Sequence, residues 1–295
     1  MINKIFVAGA GLMGGGIAQV CAQAGYEVTI RDLTEELIEK GLRSVRWSVG
    51  KFVEKGKVQG TVDEIMGRIT VTTDLSAAAS ADFVFEAVVE DLKIKRQLFA
   101  ELDSICPPYA VFASNTSAIP ITKIAEVTGR KAQFLGAHFF SPVPMMRIVE
   151  LIRTSETSEE TIILVEEICQ SLEKETIRVN RDVAGFALNR INYPSSVEAI
   201  RLIEAGVVSV EDVDKGMRLG FGRPMGPFET SDMAGLDVAY NAYRAVYEDT
   251  GDEKFRPPEI FRKKVERGEL GRKTGIGWYR YDENGKKLGP ADLPE

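Results

Sequence analysis

The sequence predicts an α/β chain: a doubly wound sheet with helices on both faces, followed by a smaller all-α C-terminal domain. Three observations carry this. Short apolar runs alternate with helix-length segments as far as residue 179. A glycine-rich turn, Gly9-Ala10-Gly11-Leu12-Met13-Gly14, joins the first run to the first helix. Beyond Phe186 the strand-like runs give way to helical spacing.

The elements follow in order. Ile5-Phe6-Val7-Ala8 is an apolar run ending in glycines. Ile17, Ala18, Val20, Cys21 and Ala24 recur at helical spacing, and Gly25 is a stop signal. Val28-Thr29-Ile30 is strand-like, so residues 5–30 read as a parallel βαβ unit. Residues 34–56 read as a long helix and 61–67 as a shorter one, a helical insertion at about 34–67. Strands are expected at 69–71, 83–85, 110–113, 132–137, 147–152 and 176–179, with helices at 91–103 and 158–172. Further helices are expected at 186–205, 210–219, 233–249 and 257–267. The change of character near Ala184 divides the chain into domains 1–184 and 185–295. The tail from Gly271 to Tyr279 is turn-rich, then aromatic.

Composition narrows the chemistry. The chain has 295 residues, 37 Lys+Arg against 44 Asp+Glu, and a formal charge of −7. That acidic balance argues against a general nucleic-acid binder. One histidine, His138, leaves no two- or three-histidine zinc site, and no metal site is expected. Cys21, Cys106 and Cys169 are far apart and odd in number, which fits a reducing, cytoplasmic setting. No apolar run approaches the ~18 residues of a membrane span, and the N-terminus leaves no room for a signal peptide.

Gly9–Gly14 fits G-x-G-x-x-G, with a strand before and a helix after. The first glycine permits a tight turn, the second a close approach of backbone to pyrophosphate, the third close helix–strand packing. Free N–H groups at the helix start favour an anion. Asp32 follows 18 residues beyond Gly14, where a carboxylate can accept from ribose hydroxyls and repel a 2′-phosphate. The reading is a Rossmann-like domain that binds NAD, with Arg31 the residue that could serve NADP instead.

Between residues 40 and 57 the chain carries Lys40, Arg43, Arg46, Lys51, Lys55 and Lys57 against Glu54 alone, a local charge of +5. Ser48, Lys51 and Lys55 can share a helical face. Such a face can hold a phosphorylated ligand, and it can equally be a solvated surface.

Ser114-Asn115-Thr116-Ser117 follows the apolar run Ala110–Ala113, where open α/β sheets bind ligands. The same residues can serve as a helix cap before Pro120. His138 follows the run Phe134–Ala137, and Glu150 lies twelve residues later inside an apolar strand. An acid inside a strand is costly to bury unless partnered. His138 is the natural partner if the strand returns past the loop; Arg147 is the alternative. A histidine held by a carboxylate is a suitable base for an alcohol proton as hydride leaves carbon.

With these motifs the chain resembles the NAD-dependent L-3-hydroxyacyl-CoA dehydrogenase family over nearly its whole length. Gly9–Gly14, Glu86–Lys95, Ser114–Ser117, His138–Pro144, Gly185–Arg190, Pro224–Pro227, Asp232–Asp237 and Lys273–Gly277 carry the resemblance. It implies oxidation of a (3S)-3-hydroxyacyl-CoA, such as 3-hydroxybutyryl-CoA, in fatty acid metabolism. It implies His138 as general base, Glu150 as its orienting partner, and Ser117 and Asn189 holding substrate. Gly9, Gly11, Leu12, Met13, Gly14, Asp32, Glu90, Lys95, Asn115, Ser117, Ser141 and Lys273 would line the cofactor. Ser48, Lys51, Lys55 and Ser117 would meet coenzyme A. A homodimer formed through the helical domain is also implied, with no nucleic-acid or membrane partner. Three positions depart from the family pattern: Ser141 for the usual Asn, Ala184 for Pro, and Asn192 on a normally apolar helix face. A dehydrogenase of a free hydroxy acid, gulonate- or carnitine-type, and a non-catalytic NAD-binding protein are the alternatives.

Overall fold

A computed structural model describes residues 2–294. They divide into two compact units, the first ending at Phe186 and the second beginning at Ala187.

The first unit contains β1 (Lys4–Ala8), α1 (Leu12–Gln23), β2 (Glu27–Arg31), α2 (Glu35–Glu54), α3 (Val62–Met66) and β3 (Ile69–Thr72). It continues with β4 (Phe83–Glu86), α4 (Leu92–Ile105), β5 (Val111–Ser114), α5 (Ile121–Ala125), β6 (Phe134–Phe139), β7 (Ile148–Ile152), α6 (Glu159–Ser171) and β8 (Glu175–Val179). The strands form one eight-stranded sheet in the order β3-β2-β1-β4-β5-β6-β7-β8. All pairs are parallel except β6–β7. The order reverses at β1, so a crevice opens beyond the carboxyl ends of β1 and β4.

The sheet forms because its central strands are apolar on both faces. Ile5, Phe6, Val7 and Ala8 are each at most 1 % exposed, as are Phe83, Val84 and Phe85. Burying one such large side chain contributes about 1.5–3 kcal/mol. On one face Leu135, Ala137 and Phe139 of β6 join Val149 and Leu151 of β7 in a core with α1 and α6. The alternating residues, His138 among them, therefore face the other way.

Side-chain caps fix the helix starts. Thr34 accepts from the Leu37 N–H, Asp91 from Ile94 and Ser158 from Thr161. Each such cap contributes about 1 kcal/mol. Helix α1 differs: it opens on Gly11, with no side-chain cap and no acid in its first turn.

The structure moves several expected boundaries. The sixth strand starts at Phe134, after a short 3-10 turn over Lys131–Gln133, and runs on to Phe139. His138 therefore lies inside β6 rather than after it, because the ladder with β7 extends to Phe139↔Val149. Ser114 likewise ends β5 instead of opening the loop. Lys55 is the C-cap of α2, not part of the helix.

The second unit contains α7 (Leu188–Glu204), α8 (Val210–Phe221), α9 (Pro227–Ala234), α10 (Leu236–Thr250) and α11 (Glu259–Glu266). It ends in an antiparallel ribbon of β9 (Tyr279–Tyr281) and β10 (Lys287–Pro290). The unit is helical as expected, and the ribbon and α9 are additions to the expectation. The helix expected at 233–249 is α10, which starts only at Leu236, after Gly235, whose φ is +102°.

Two buried acids hold this unit. Asp214 of α8 accepts from the Phe228 and Glu229 N–H groups at the start of α9, and from the Tyr279 hydroxyl. Asp232 of α9 accepts from the N–H groups of Trp278 and Tyr279 and from the Tyr281 hydroxyl. Burial pushes both carboxyl groups up despite these donors. The aromatic tail is thus strapped to α9 by a carboxylate.

Candidate active site

The glycine turn is shaped by close approach. Gly9 has φ +110°, and a Cβ there would lie 2.4 Å from the Ala87 carbonyl oxygen. A Cβ on Gly14 would lie 2.0 Å from the Gly9 oxygen. Above Gly11 the space is open, with no atom within 4 Å of an added Cβ. The first N–H groups of α1, on Leu12, Met13 and Gly14, have no intrahelical acceptor. Leu12 is 73 % exposed over this turn.

Asp32 follows β2 beside the turn. One carboxylate oxygen accepts from the Ala10 N–H at 2.7 Å, the other from Leu33 N–H at 2.7 Å. Those bonds orient the carboxylate and leave lone pairs for further donors. Arg31 turns to backbone, its Nε donating to the Thr73 carbonyl at 3.2 Å. Orphaned helix donors, an open approach at Gly11 and an oriented acid together fit a dinucleotide.

At the ends of β4 and β5 lies a buried charge network. Glu86 is fully buried; it accepts from Lys95 Nζ at 2.6 Å, Ser114 Oγ at 2.5 Å and Val88 N–H at 2.8 Å. Lys95 also faces Glu90 Oε2 at 3.2 Å. Glu90 Oε1 in turn accepts from Thr116 Oγ1 at 2.6 Å, Ser117 N–H at 3.0 Å and Ala118 N–H at 3.2 Å. Burial alone would raise the Glu90 carboxyl; Lys95 and these donors outweigh it and hold the group below its usual range. The network shapes the 114–118 loop. Lys95, whose side chain is 1 % exposed, pairs with both carboxylates. Glu86 was missed as a site-shaping residue. Its signal in the sequence was akin to that of Glu150: an acid adjoining apolar strand residues, here at the end of the run Phe83–Phe85.

Asn115 connects this loop to the histidine strand, its Oδ1 accepting from the Phe139 N–H at 2.8 Å. His138 and Glu150 are directly paired across the antiparallel β6–β7 ladder. Their side chains therefore project on one face. His138 Nδ1 and Glu150 Oε2 are 2.7 Å apart, with side-chain exposures of 7 % and 0 %. A carboxylate only accepts, so Nδ1 carries the proton and Nε2 of the neutral ring is left as a base. The rings of Phe140 and Phe186 lie 4.6 and 5.6 Å from the imidazole centroid and restrict its rotation. Arg147 faces Glu175 instead of Glu150, at 3.8 Å.

The remaining expected positions fall as follows. Ser141 is exposed on the β6–β7 connection. Ser48 is half-buried on α2, and Lys51 and Lys55 are exposed. The basic stretch is less positive than its sequence suggests. Arg43 pairs with Glu39 at 3.5 Å, Arg46 with Asp63 at 2.9 Å and Lys51 with Glu54 at 2.7 Å. Acids outside the 40–57 window supply two of these partners. Lys40, Lys55 and Lys57 have no ion pair among the described residues. In the second unit, Asn189 lies in the first turn of α7, and Lys273 pairs with Asp237 at 2.6 Å. Among the described residues no group of three His, Cys, Asp or Glu could hold a metal ion, and no helix is long and apolar enough to cross a membrane.

Comparison with known proteins identifies the family. Residues 4–183 match the family described as 3-hydroxyacyl-CoA dehydrogenase, NAD binding domain, and residues 185–281 match the C-terminal domain of the same family. A probable 3-hydroxybutyryl-CoA dehydrogenase of Deinococcus radiodurans is 45 % identical over 278 residues, covering 94 % of this chain and 100 % of that protein. The crystal structure of Mycobacterium tuberculosis FadB2 has TM-score 0.92 at 42 % identity, covering 95 % of this chain and 99 % of that one. The (S)-3-hydroxybutyryl-CoA dehydrogenase PaaH1 of Ralstonia eutropha has TM-score 0.90 at 38 % identity, covering 96 % and 100 %. With both halves matched, the chain belongs to the 3-hydroxyacyl-CoA dehydrogenase family.

Proposed function

We propose that this protein reversibly oxidises a short-chain (3S)-3-hydroxyacyl-CoA, such as 3-hydroxybutyryl-CoA, to the 3-oxoacyl-CoA with NAD. The observation that carries the reading is the buried His138–Glu150 pair at 2.7 Å in the same unit as the NAD-type glycine turn. Bound NAD supplies the hydride acceptor. His138 Nε2 takes the proton of the substrate 3-hydroxyl while the C3–H bond gives up its hydride and the carbonyl forms. The positive charge that develops on the imidazole faces the Glu150 carboxylate, which also fixes the tautomer. In the reverse direction the imidazolium returns its proton to the forming hydroxyl.

The Leu12, Met13 and Gly14 N–H groups and Asp32 are assigned to the dinucleotide. Ser117 and Asn115 are assigned to the loop that meets substrate and cofactor, held from beneath by Glu90, Glu86 and Lys95. Ser48 and Lys55 are assigned to the phosphates of coenzyme A, with Lys51 tied to Glu54. Asn189, Lys273 and Ser141 enter through the family resemblance alone. A homodimer through the second unit is supported by Ile191, Leu219 and Phe221, which are 73 %, 79 % and 78 % exposed. The three cysteines are free and buried, which supports a reducing, cytoplasmic setting. The domains are assigned as 1–184 for NAD and 185–295 for substrate and dimerisation.

The test is NADH oxidation with acetoacetyl-CoA, repeated with NADPH, with longer 3-oxoacyl-CoAs and with free coenzyme A as competitor. Turnover with NADH, slower turnover with NADPH, and inhibition by coenzyme A are the expected results. Absence of turnover would overturn the reading, and indifference to coenzyme A would turn it toward a free hydroxy acid.

A further inference from the structure

We propose that Lys174 is a positioning residue for the His138–Glu150 pair, acting through the carbonyls of Val143 and Met146. This rests on the proposed role of that pair. The connection from β6 to β7, residues 140–147, joins the strand bearing His138 to the strand bearing Glu150. Lys174 comes from outside that hairpin, just before β8. Its Nζ donates to the Val143 and Met146 carbonyls, both at 2.8 Å. The next residue continues the grip: Glu175 N–H donates to the Arg147 carbonyl at 2.7 Å.

The arrangement is an unusual use of a lysine. Lys174 is 7 % exposed and has no ion pair among the described residues. An ammonium buried without a carboxylate is costly, and the two carbonyls are its compensation. Burial lowers its pKa, as expected for a cation held this way. The chain also bends to deliver it: Glu173, immediately before, has φ +57°. The connection also packs tightly against α1, where a Cβ on Gly16 would lie 2.9 Å from Val143 Cβ. Lys174 and α1 thus both hold the connection. What is at stake is register. A one-residue slip of β7 against β6 would turn Glu150 to the opposite face of the sheet, away from His138. A smaller displacement would lengthen the 2.7 Å bond.

The test compares Lys174→Met and Lys174→Gln with the parent enzyme. The chain has one histidine, so the imidazole N–H proton in the NMR spectrum belongs to His138 alone. Both variants are expected to shift or broaden that resonance. Their kcat with acetoacetyl-CoA should fall about tenfold to a hundredfold, the size of loss that follows ångström-scale misplacement. KM should change less than about threefold, since substrate contacts remain. The Gln side chain keeps a donor and should lose less than Met. If Lys174→Met does not fold, Lys174→Gln in a Glu173→Gly background carries the same readouts. A folded variant with a lowered melting temperature but unchanged kcat and unchanged His138 resonance would overturn the proposal. Inactivity of the parent enzyme would overturn the proposed function instead, and the resonance would still report on Lys174.

Discussion

Replacing Glu150 by Gln tests what the carboxylate does for the histidine. The exchange keeps size and hydrogen-bonding capacity and removes one negative charge. Glu150 is fully buried, so water cannot take over its role. A hydrogen bond to a charged group is worth about 1.5–3 kcal/mol, roughly twice a neutral one. That bond strengthens as the imidazole becomes charged, so most of its loss falls on the transition state. Only about half of that is lost when a neutral bond remains, and at about 1.4 kcal/mol per tenfold in rate this charge term alone predicts a drop in kcat of about 3- to 12-fold. If the amide presents its NH2 group to Nδ1, the ring is forced into the other tautomer. Nε2 then carries the proton and cannot accept one, and the loss approaches the ~10⁴-fold seen when a triad acid is neutralised in this way. The assay is initial-rate NADH production from 3-hydroxybutyryl-CoA, with NADH affinity measured separately by fluorescence. We expect kcat at least about threefold lower, with a far larger loss if the tautomer switches, and NADH affinity within about twofold. A kcat within threefold of the parent would refute the assignment of Glu150 to the base.

Three further outcomes follow from the geometry. Lys95→Met leaves Glu86 buried opposite no cation, and breaking such a pair costs about 3–5 kcal/mol; calorimetry should show a fall in melting temperature of about 6–20 °C, and a fall under 2 °C would contradict the buried-pair account. Glu173→Gly relieves a left-handed backbone at φ +57° and should raise the unfolding free energy from urea titration by about 0.5–1 kcal/mol; no gain would mean the turn is unstrained. Glu229, which burial alone would raise, is held down to about 2 by Lys287, Arg218 and the Gly226 N–H. Its folded pKa is depressed, so its contribution is full above pH ~4.5 and is lost as pH falls toward about 2, up to about 3 kcal/mol in all. The stability difference between parent and Glu229→Gln should shrink across that window, and a constant difference would refute the linkage.

What could be read in advance divides along physical lines. The sheet was legible because its strands are buried on both faces and appear as unbroken apolar runs such as Phe83–Phe85. The His138–Glu150 pair was legible because an acid in an apolar strand needs a partner, and one histidine narrows the choice. The direction of β7 was not legible: an eight-residue connection, 140–147, permits an antiparallel return, but residue patterns do not fix strand order. The burial of Lys95 was not legible, because a lysine early in an amphipathic helix normally reaches solvent. Only the fold shows that it points down onto Glu86. The basic helix was overcounted for a related reason, since Asp63 lies outside the window and returns to Arg46 in space. The ribbon of the second unit was hidden because its strands are three and four residues long and held by Asp232, not by a hydrophobic pattern.

The central claim is that His138 accepts the substrate proton. The chain has one histidine, so its imidazole can be titrated by NMR without assignment ambiguity, in the protein saturated with NAD. The same buffers serve to measure the rate of 3-hydroxybutyryl-CoA oxidation under substrate saturation. The account predicts that His138→Gln abolishes turnover and that, in the parent, the imidazole titration and the pH–rate curve share one midpoint, with activity rising as the ring loses its proton. A rate that follows a different midpoint, or that survives in His138→Gln, would contradict it.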